Sequence, residues 1–404
     1  MPLRIIYIDL NSYFASVEQA ERPELMGRPV AVVPMMAETT CCLAASYPAK
    51  ACGVRTGTLV KDARKLCPKI TFIEADHRKY TAYHHRIIDV VDKCFPIWKV
   101  FSIDEMAIEL HGREQDPAFA RAKALEIKRA ILEEIHPALT CSIGIAPNRY
   151  VAKIASDMQK PDGLTIIHSE ELPERLFGLS LRDFPGIGPR MEERLIRAHC
   201  MSARALCHKS FSEMVDLWGS KVGGDFWRLI RGEVLEERET ERSSIGHSRV
   251  LPPNTRNAED AWSNLVALLS KAAMRLRGEG FYARSLQLNL QFLRKGTGIS
   301  HWDKRARFFE TQDTTLLLHE LGALWAEAPK ENILKVGVVL SSLVPEDKHQ
   351  LSLMEDSKRD RLMAALDSLN KGQQKNLVVY GASSELGQPT QAKIAFGYIP
   401  EKDA

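Results

Sequence analysis

The chain opens on an unbroken apolar run, Ile5-Ile6-Tyr7-Ile8, that stops at Asp9. A run this short, bounded by a carboxylate, predicts a buried strand. Helical spacing takes over from Ser12 to Gln19. Between about 19 and 74 the pattern is interrupted by Pro23, Pro29, Pro34, Pro48, Gly53, Gly57 and Pro68, which predicts small, irregular elements. Farther on the spacing predicts a helix over Tyr80–Lys93, a strand over Trp98–Ile103, a tight connection and a second strand over Met106–Leu110. A long helix over Pro117–Ile135, a strand over Leu139–Ile145 and a helix opening near Pro147-Asn148 follow. Strands that alternate with helices, some of them joined directly, imply a mixed α/β sheet.

From about 180 to 235 the pattern is helical and poor in strands, as expected of a separate all-α piece. Residues 236–244 (Glu-Glu-Arg-Glu-Thr-Glu-Arg-Ser-Ser) carry almost nothing apolar and read as a linker. Beyond it, Ala258–Arg277 has helical periodicity and meets Gly278 at its end. Ser285–Phe292 then alternates strictly, with Leu286, Leu288, Leu290 and Phe292 on one face and Ser285, Gln287, Asn289 and Gln291 on the other. That is a half-buried strand whose polar face is free to meet a partner. A helix over Thr314–Ala326 and a strand over Ile333–Leu343 complete an α+β domain, and no internal repeat is present.

At 404 residues the chain is too long for one ordinary core, so two to four domains are expected. A hydrophobic content of 45% with 26% charged residues excludes wholesale disorder. No run approaches eighteen apolar residues, so no membrane span is expected, and the N-terminal run ends on Asp9, not on a cleavage site. The eight cysteines form no Cys-x-x-Cys pair and no metal-ligand spacing, which suits reduced thiols in a cytoplasmic protein. Net charge is only +3, but nine basic residues face two acidic ones between Lys271 and Arg307, interleaved with Phe281, Tyr282, Phe292 and Trp302. Such a stretch is either a solvated helix face or a surface for a polyanion.

Three carboxylates carry the candidate chemistry. Asp9 ends an apolar strand, and Asp104-Glu105 sit at the turn between two others. Singly, an Asp at a strand end caps a turn and an Asp-Glu pair in a hairpin is surface. If the strands are neighbours, the three converge, repel one another and raise their own pKa values unless cations join them. Hard oxygen donors of this kind suit Mg²⁺, which takes substrate phosphates into its remaining positions. Two such ions stabilise the attacking and leaving oxygens of phosphoryl transfer.

These residues lie within longer motifs. Tyr7-Ile8-Asp9-Leu10-Asn11-Ser12-Tyr13-Phe14-Ala15-Ser16-Val17-Glu18 resembles the opening motif of the Y-family (translesion) DNA polymerases, and Ser102-Ile103-Asp104-Glu105 resembles their second metal motif. The resemblance continues in order through Ser46-Tyr47-Pro48-Ala49-Lys50-x-x-Gly53-Val54, Ser142-Ile143-Gly144-Ile145-Ala146, Ala152-Lys153-Ile154-Ala155-Ser156-Asp157-Met158-Gln159-Lys160-Pro161-x-Gly163 and Pro185-Gly186-Ile187-Gly188-Pro189. It is specific to about residue 190 and agrees in layout to about 345.

The resemblance implies an α+β multidomain fold shaped as a right-hand polymerase. Its expected parts are a mixed-sheet palm (1–18 and 75–166), small fingers (19–74), an all-α thumb with a helix-hairpin-helix (167–235), a linker (236–246), a separate α+β little finger (247–345) and a tail (346–404). It implies that Asp9, Asp104 and Glu105, with the Leu10 carbonyl, hold two Mg²⁺ and are catalytic. Phe14 matches the steric gate against ribonucleotides, though on its own it reads as a core aromatic of an amphipathic helix. Tyr13, Phe14, Tyr47, Lys50 and Lys160 match residues around the deoxynucleoside triphosphate. Gly186 and Gly188 would let the thumb backbone approach a phosphate, while Arg284, Arg294, Lys295 and Arg305 are candidate DNA contacts of the little finger. Gln350-Leu351-Ser352-Leu353-Met354 resembles the peptide by which bacterial polymerases dock on the sliding clamp, with Gln350, Leu351, Leu353 and Met354 as the anchors.

Primer-template DNA, a deoxynucleoside triphosphate and a clamp are thus the expected partners of a monomer. The expected activity is low-fidelity translesion synthesis, since the short fingers lack a long helix to close on the new base pair, and no proofreading is expected because no stretch resembles an exonuclease. Three positions depart from the family pattern. Asn11 stands where many relatives carry a second Asp, Met106-Ala107 stand where Ala-Tyr is usual, and Lys50 replaces a common Arg, a point charge in place of a bidentate fork. A non-catalytic DNA- and clamp-binding accessory on the same scaffold is the alternative, as is an unrelated helix-hairpin-helix repair nuclease, which explains Gly186 and Gly188 but not Phe14, Tyr47 or Lys160.

Overall fold

The structure, a computed structural model, describes residues 1–236, 242–294, 298–349, 357–370 and 378–383. The described residues to 236 build one compact unit and those from 242 to 383 build another. Among the described residues no helix is long and apolar enough to cross a membrane.

In the first unit, β1 (Ile5–Leu10) leads into α1 (Tyr13–Glu21). The proline- and glycine-rich stretch then forms β2 (Val30–Val33), β3 (Ala44–Ala45), α2 (Tyr47–Ala51), α3 (Val60–Leu66) and β4 (Thr71–Glu74). Next come α4 (His77–Cys94), β5 (Lys99–Val100), β6 (Glu105–Glu109), α5 (Pro117–Ala130), β7 (Cys141–Ala146), α6 (Arg149–Met158) and β8 (Leu164–Ile166). The principal sheet has the order β5-β6-β1-β7-β8, with β1 antiparallel to both neighbours and β7 parallel to β8. It is the expected mixed sheet.

Every residue of β1 is buried because helices cover both faces of the sheet. Ile6 and Ile8 pack among Tyr80, Ile87 and Ile127, whereas Ile5 and Tyr7 pack among Val151, Ala152 and Ile154. This double burial explains why the run is continuous instead of alternating. Strand β5 is shorter than the spacing predicts. The Phe101 N–H donates to the Glu105 carbonyl at 2.9 Å, so residues 101–104 belong to a turn. The last residues of the expected long helix, Ile131–Ile135, wind as a wider π turn.

Residues 19–74 hold a small sheet of their own, ordered β3-β2-β4, around Ala31, Val33, Val54 and Ala63. The four short helices α7 (Pro189–Arg197), α8 (Ala203–Cys207), α9 (Phe211–Trp218) and α10 (Val222–Leu229) share a core with the α6 side of the principal sheet, through Phe184, Leu195, Met214 and Phe226.

The second unit starts with β9 (Ser244–Val250), so three residues expected in the linker belong to a strand, drawn in by Ile245, which packs into that unit's core. It continues with α11 (Ala258–Gly278), β10 (Phe281–Arg294), β11 (Gly298–Thr311), α12 (Thr314–Ala326), β12 (Ile333–Ser341), the short β13 (Val344–Pro345) and α13 (Ser357–Asn370). The sheet order β11-β10-β12-β9 is antiparallel throughout. Leu286, Leu288 and Leu290 face α11 and α12, as the alternation predicts. Strand β11 escapes the hydrophobic pattern because it is the edge strand and mostly exposed. Helix α13 is tied to α11 by a two-point ion pair, Arg277 to Asp367, at 2.6 and 2.8 Å.

A buried charge links α1 to α4. Glu18 is fully buried, accepts from the Tyr80 hydroxyl at 2.9 Å and pairs with Lys79 at 3.0 Å. Glu18→Ala strands Lys79 and the Tyr80 hydroxyl, so urea denaturation should show a loss of about 3 kcal/mol. Glu18→Gln, which keeps one hydrogen bond, should lose less.

Candidate active site

Asp9 occupies the next-to-last position of β1 and stands directly across from Glu105, the first residue of β6. The Leu10 N–H donates to the Asp104 carbonyl at 2.9 Å, which brings the 102–104 turn against the end of β1. Asp9, Leu10, Tyr13, Phe14, Asp104 and Glu105 all line one cavity of about 300 Å³, closed on the remaining sides by residues 43–45, Lys50, Lys153 and Lys160. The carboxylates read from the sequence do converge.

Their partners set their charges. Burial raises the Asp9 carboxyl pKa, but the Lys153 and Lys160 ammonium groups outweigh burial and hold it below the ordinary range. Lys153 pairs with Asp9 and, at 2.6 Å, with Glu105. Lys160 pairs with Asp9 at 2.6 Å and with Asp157 at 2.8 Å. Among the described residues no lysine is hydrogen-bonded to Asp104, although the Lys153 charge acts on it from a distance. Burial, with Asp9 and Glu105 nearby, pushes its carboxyl up to about 6 against the pull of the Ser102 hydroxyl, which donates to it at 2.5 Å.

Among the described residues no three His, Cys, Asp or Glu side chains are gathered closely enough to hold a metal ion as they stand. The Lys153 ammonium occupies the space between Asp9 and Glu105 and supplies the positive charge there. The donor set fits a hard divalent cation: three carboxylates in one cavity, one of them with its proton affinity raised by burial and, beyond that, by the other two.

The approach of Lys153 depends on Gly144 in β7. A Cβ at that position would lie 2.0 Å from the Ala152 carbonyl oxygen and 2.5 Å from the Ser156 nitrogen, so only glycine lets α6 sit this close to the sheet. Lys160 is held by the turn that follows it. Lys128 pairs with Asp162 at 2.6 Å and donates to the Cys141 carbonyl. Asn11, also buried, accepts from the Asp162 N–H at 2.8 Å and donates to the Ser142 hydroxyl at 3.0 Å. Asn11 is therefore a structural joint between β1, β7 and that turn, away from the carboxylates.

Phe14 lies on α1 with its ring stacked on Tyr80, centroids 4.3 Å apart, and its surface reaching the cavity. It is a core aromatic that also forms part of the cavity wall. The Tyr13 hydroxyl is spent on the Tyr80 carbonyl at 2.6 Å, so this residue contributes its ring and backbone to the cavity. The Tyr47 and Ser12 hydroxyls are buried without a well-formed hydrogen bond. The Lys50 ammonium lies 4.4 Å from the Tyr47 ring centroid. Burial and the neighbouring Lys160 charge lower the Lys50 pKa, with Asp9 opposing. Unspent donors facing carboxylates form a place where an anion and cations can be bound together.

Other residues read from the sequence stand elsewhere. Gly186 has φ +91°, which favours glycine, and a Cβ on Gly188 would meet nothing within 4 Å. Gly188 precedes α7 without a side-chain cap, and because Pro189 has no N–H, the backbone donors at this end come from Arg190 and Met191. In the second unit the basic excess divides between two faces. Lys271, Arg275 and Arg277 belong to α11, whereas Arg305 stands across from Gln287 on the open face of the sheet. Lys335, across from Gln291, joins that face and carried no signal in the local pattern. Arg284 is tied by two bonds, 2.5 and 2.8 Å, to the buried carboxylate of Glu310, which makes it a poor free phosphate contact. Arg294 ends β10. Lys295, Gln350, Leu351, Leu353 and Met354 lie outside the described residues. Lys153 and Tyr7 fall inside recognised motifs, but spacing alone assigns neither a contact.

Residues 8–157 match the impB/mucB/samB family model, and residues 242–353 match the model of that family's C-terminal domain. DNA polymerase IV of Moorella thermoacetica is 33% identical over 396 residues, spanning 95% of this chain and 96% of that protein. DNA polymerase IV of Pelotomaculum thermopropionicum is 31% identical over 381 residues, 90% of this chain and 91% of that protein. Among solved structures, the Y-family DNA polymerase chimera Dbh-Dpo4(243-245)-Dbh matches with a TM-score of 0.70 over 85% of this chain and 99% of that one, at 24% identity, a likeness of fold. With both models matched in order and relatives aligned along nearly the whole length, this chain belongs to the impB/mucB/samB family of Y-family DNA polymerases and is similar throughout to DNA polymerase IV.

Proposed function

We propose that the chain carries out template-directed, low-fidelity translesion DNA synthesis, joining a deoxynucleoside monophosphate to a primer 3′-hydroxyl with release of pyrophosphate. The observation that carries this reading is the pairing of Asp9 with Glu105 across β1 and β6, with Asp104 brought against them by the Leu10–Asp104 backbone bond. Asp9, Asp104, Glu105 and the Leu10 carbonyl would hold two Mg²⁺. Bound there, the ions supply Lewis-acid stabilisation of the attacking and leaving oxygens.

The protein's own groups do the rest. Lys50, Lys160 and the Tyr47 and Ser12 hydroxyls bind the triphosphate and orient it toward the carboxylates. Lys153, paired with both Asp9 and Glu105, holds the negative charge of the site in balance at the place where a cation would be bound. Phe14 closes the sugar side of the cavity by its bulk and excludes a ribose 2′-hydroxyl. Gly186, Gly188 and the open sheet face of the second unit, with Arg305 and Lys335, grip the duplex backbone without reading sequence, so binding is salt-sensitive. Nothing in the chain resembles a proofreading exonuclease. The Gln350–Met354 peptide docks on a sliding clamp.

Primer extension tests this reading, and templates carrying defined lesions extend the test to bypass. Asp104→Ala should lower kcat on the order of 10⁴-fold while DNA binding is kept. Binding without elongation by either protein would instead favour a non-catalytic accessory. Phe14→Ala should relax discrimination against ribonucleotides roughly 100-fold, and unchanged sugar selectivity would remove Phe14 from the gate. Lys153→Met leaves Asp9 and Glu105 short of a counter-charge. Its melting temperature in EDTA should fall by several degrees, and millimolar Mg²⁺ should raise that temperature more than it raises the wild type's.

A further inference from the structure

We propose that Tyr7 is a positioning residue for the polymerase reaction, its hydroxyl fixing one oxygen of Glu105 so that the other is presented to the cation. The Tyr7 hydroxyl donates to Glu105 Oε2 at 3.1 Å, while Glu105 Oε1 is the oxygen paired with Lys153 at 2.6 Å. The two oxygens are thus divided between a neutral donor and a positive charge. Glu105 would hold a divalent cation through the oxygen that Tyr7 does not occupy, with the Tyr7 hydroxyl fixing the other.

Tyr7 is itself held on several sides. It is 2% exposed in the centre of β1, its ring stacks on Phe101 with centroids 5.7 Å apart, and the Lys153 ammonium lies 5.6 Å from its ring centroid. Phe101 sits at the start of the turn that carries Asp104, and the Arg149 guanidinium lies over its ring at 4.7 Å. Directly across from Tyr7, on the same face of the sheet, stands Ala107, whose single methyl leaves that face to the phenol. The departure at Ala107 is therefore met from the neighbouring strand: the aromatic ring and the hydroxyl come from β1. Groups that orient a ligating carboxylate typically change metal affinity 10–100-fold when removed.

The proposal rests on the metal-binding reading of Glu105, and the test separates the two. Mn²⁺ binding is measured by electron paramagnetic resonance in the complex of the full chain with a dideoxy-terminated primer-template and a deoxynucleoside triphosphate. The Mg²⁺ dependence of single-nucleotide insertion is followed in parallel. Tyr7→Phe keeps the ring and should weaken Mn²⁺ binding about tenfold and raise the Mg²⁺ half-saturation by a similar factor. In a Glu105→Gln background, Tyr7→Phe should add no further loss, because the charge it orients is gone. Tyr7→Phe/Ala107→Tyr, which returns a phenol to the same face from β6, should recover part of the loss. Wild-type Mn²⁺ binding that is unchanged in Tyr7→Phe overturns the role of Tyr7 alone, as does an equal loss in both backgrounds. No Mn²⁺ binding by the wild type overturns the metal reading together with it.

Discussion

Asp9 carries a charge at 5% exposure, and a charge so placed is tolerated only among opposite charges and hydrogen bonds. Two lysines from separate parts of the chain meet that demand, and each imposes its own condition on the fold. Lys153 requires α6 to lie almost on the sheet, which is why β7 has glycine at 144. Lys160 requires the turn at 160–163 to be held in place, which Lys128 and Asn11 do from two sides. Neutralising one buried carboxylate thereby binds β1, β7, α6 and the following turn into a single rigid frame. Among the described residues no lysine is bonded to Asp104, which feels Lys153 only through space, so the cavity keeps an appetite for further positive charge.

The second unit solves a different problem. Among the described residues, α11 and α12 cover one side of its sheet, and the other side carries amides and hydroxyls with Asp303, Arg305 and Lys335. A surface of that composition suits a polyanion met through its backbone. Several basic residues that crowd the same stretch of sequence are employed otherwise: Arg277 fastens α13, and Arg284 neutralises Glu310. Charge density along a sequence measures supply, and the fold decides the allocation.

Much of the site was legible beforehand. Asp9, Asp104 and Glu105 stand where an apolar run stops and where two strands turn, and those are positions that local pattern locates well. Phe14 follows because the helix begins within a few residues of Asp9. The elements that pattern missed have physical reasons: β11 is an exposed edge without apolar alternation, and β2, β3 and β4 are too short to show a period. Strand β5 was read too long because the apolar run continues through a turn whose bonds are made by the backbone. The three departures from the family pattern, at Asn11, Ala107 and Lys50, were visible as differences, but their meaning was not.

From the order of its residues alone, this chain declares its most apolar strands, its carboxylates and the family they belong to, because periodicity and motif are local properties. Which cation faces which carboxylate is not local. Lys153 meets Asp9 and Glu105, and Tyr7 meets Glu105 across from Ala107, only because strands more than a hundred residues apart in sequence adopt one register. Electrostatic and hydrogen-bond partners are chosen by distance in space, and the folded sheet sets that distance.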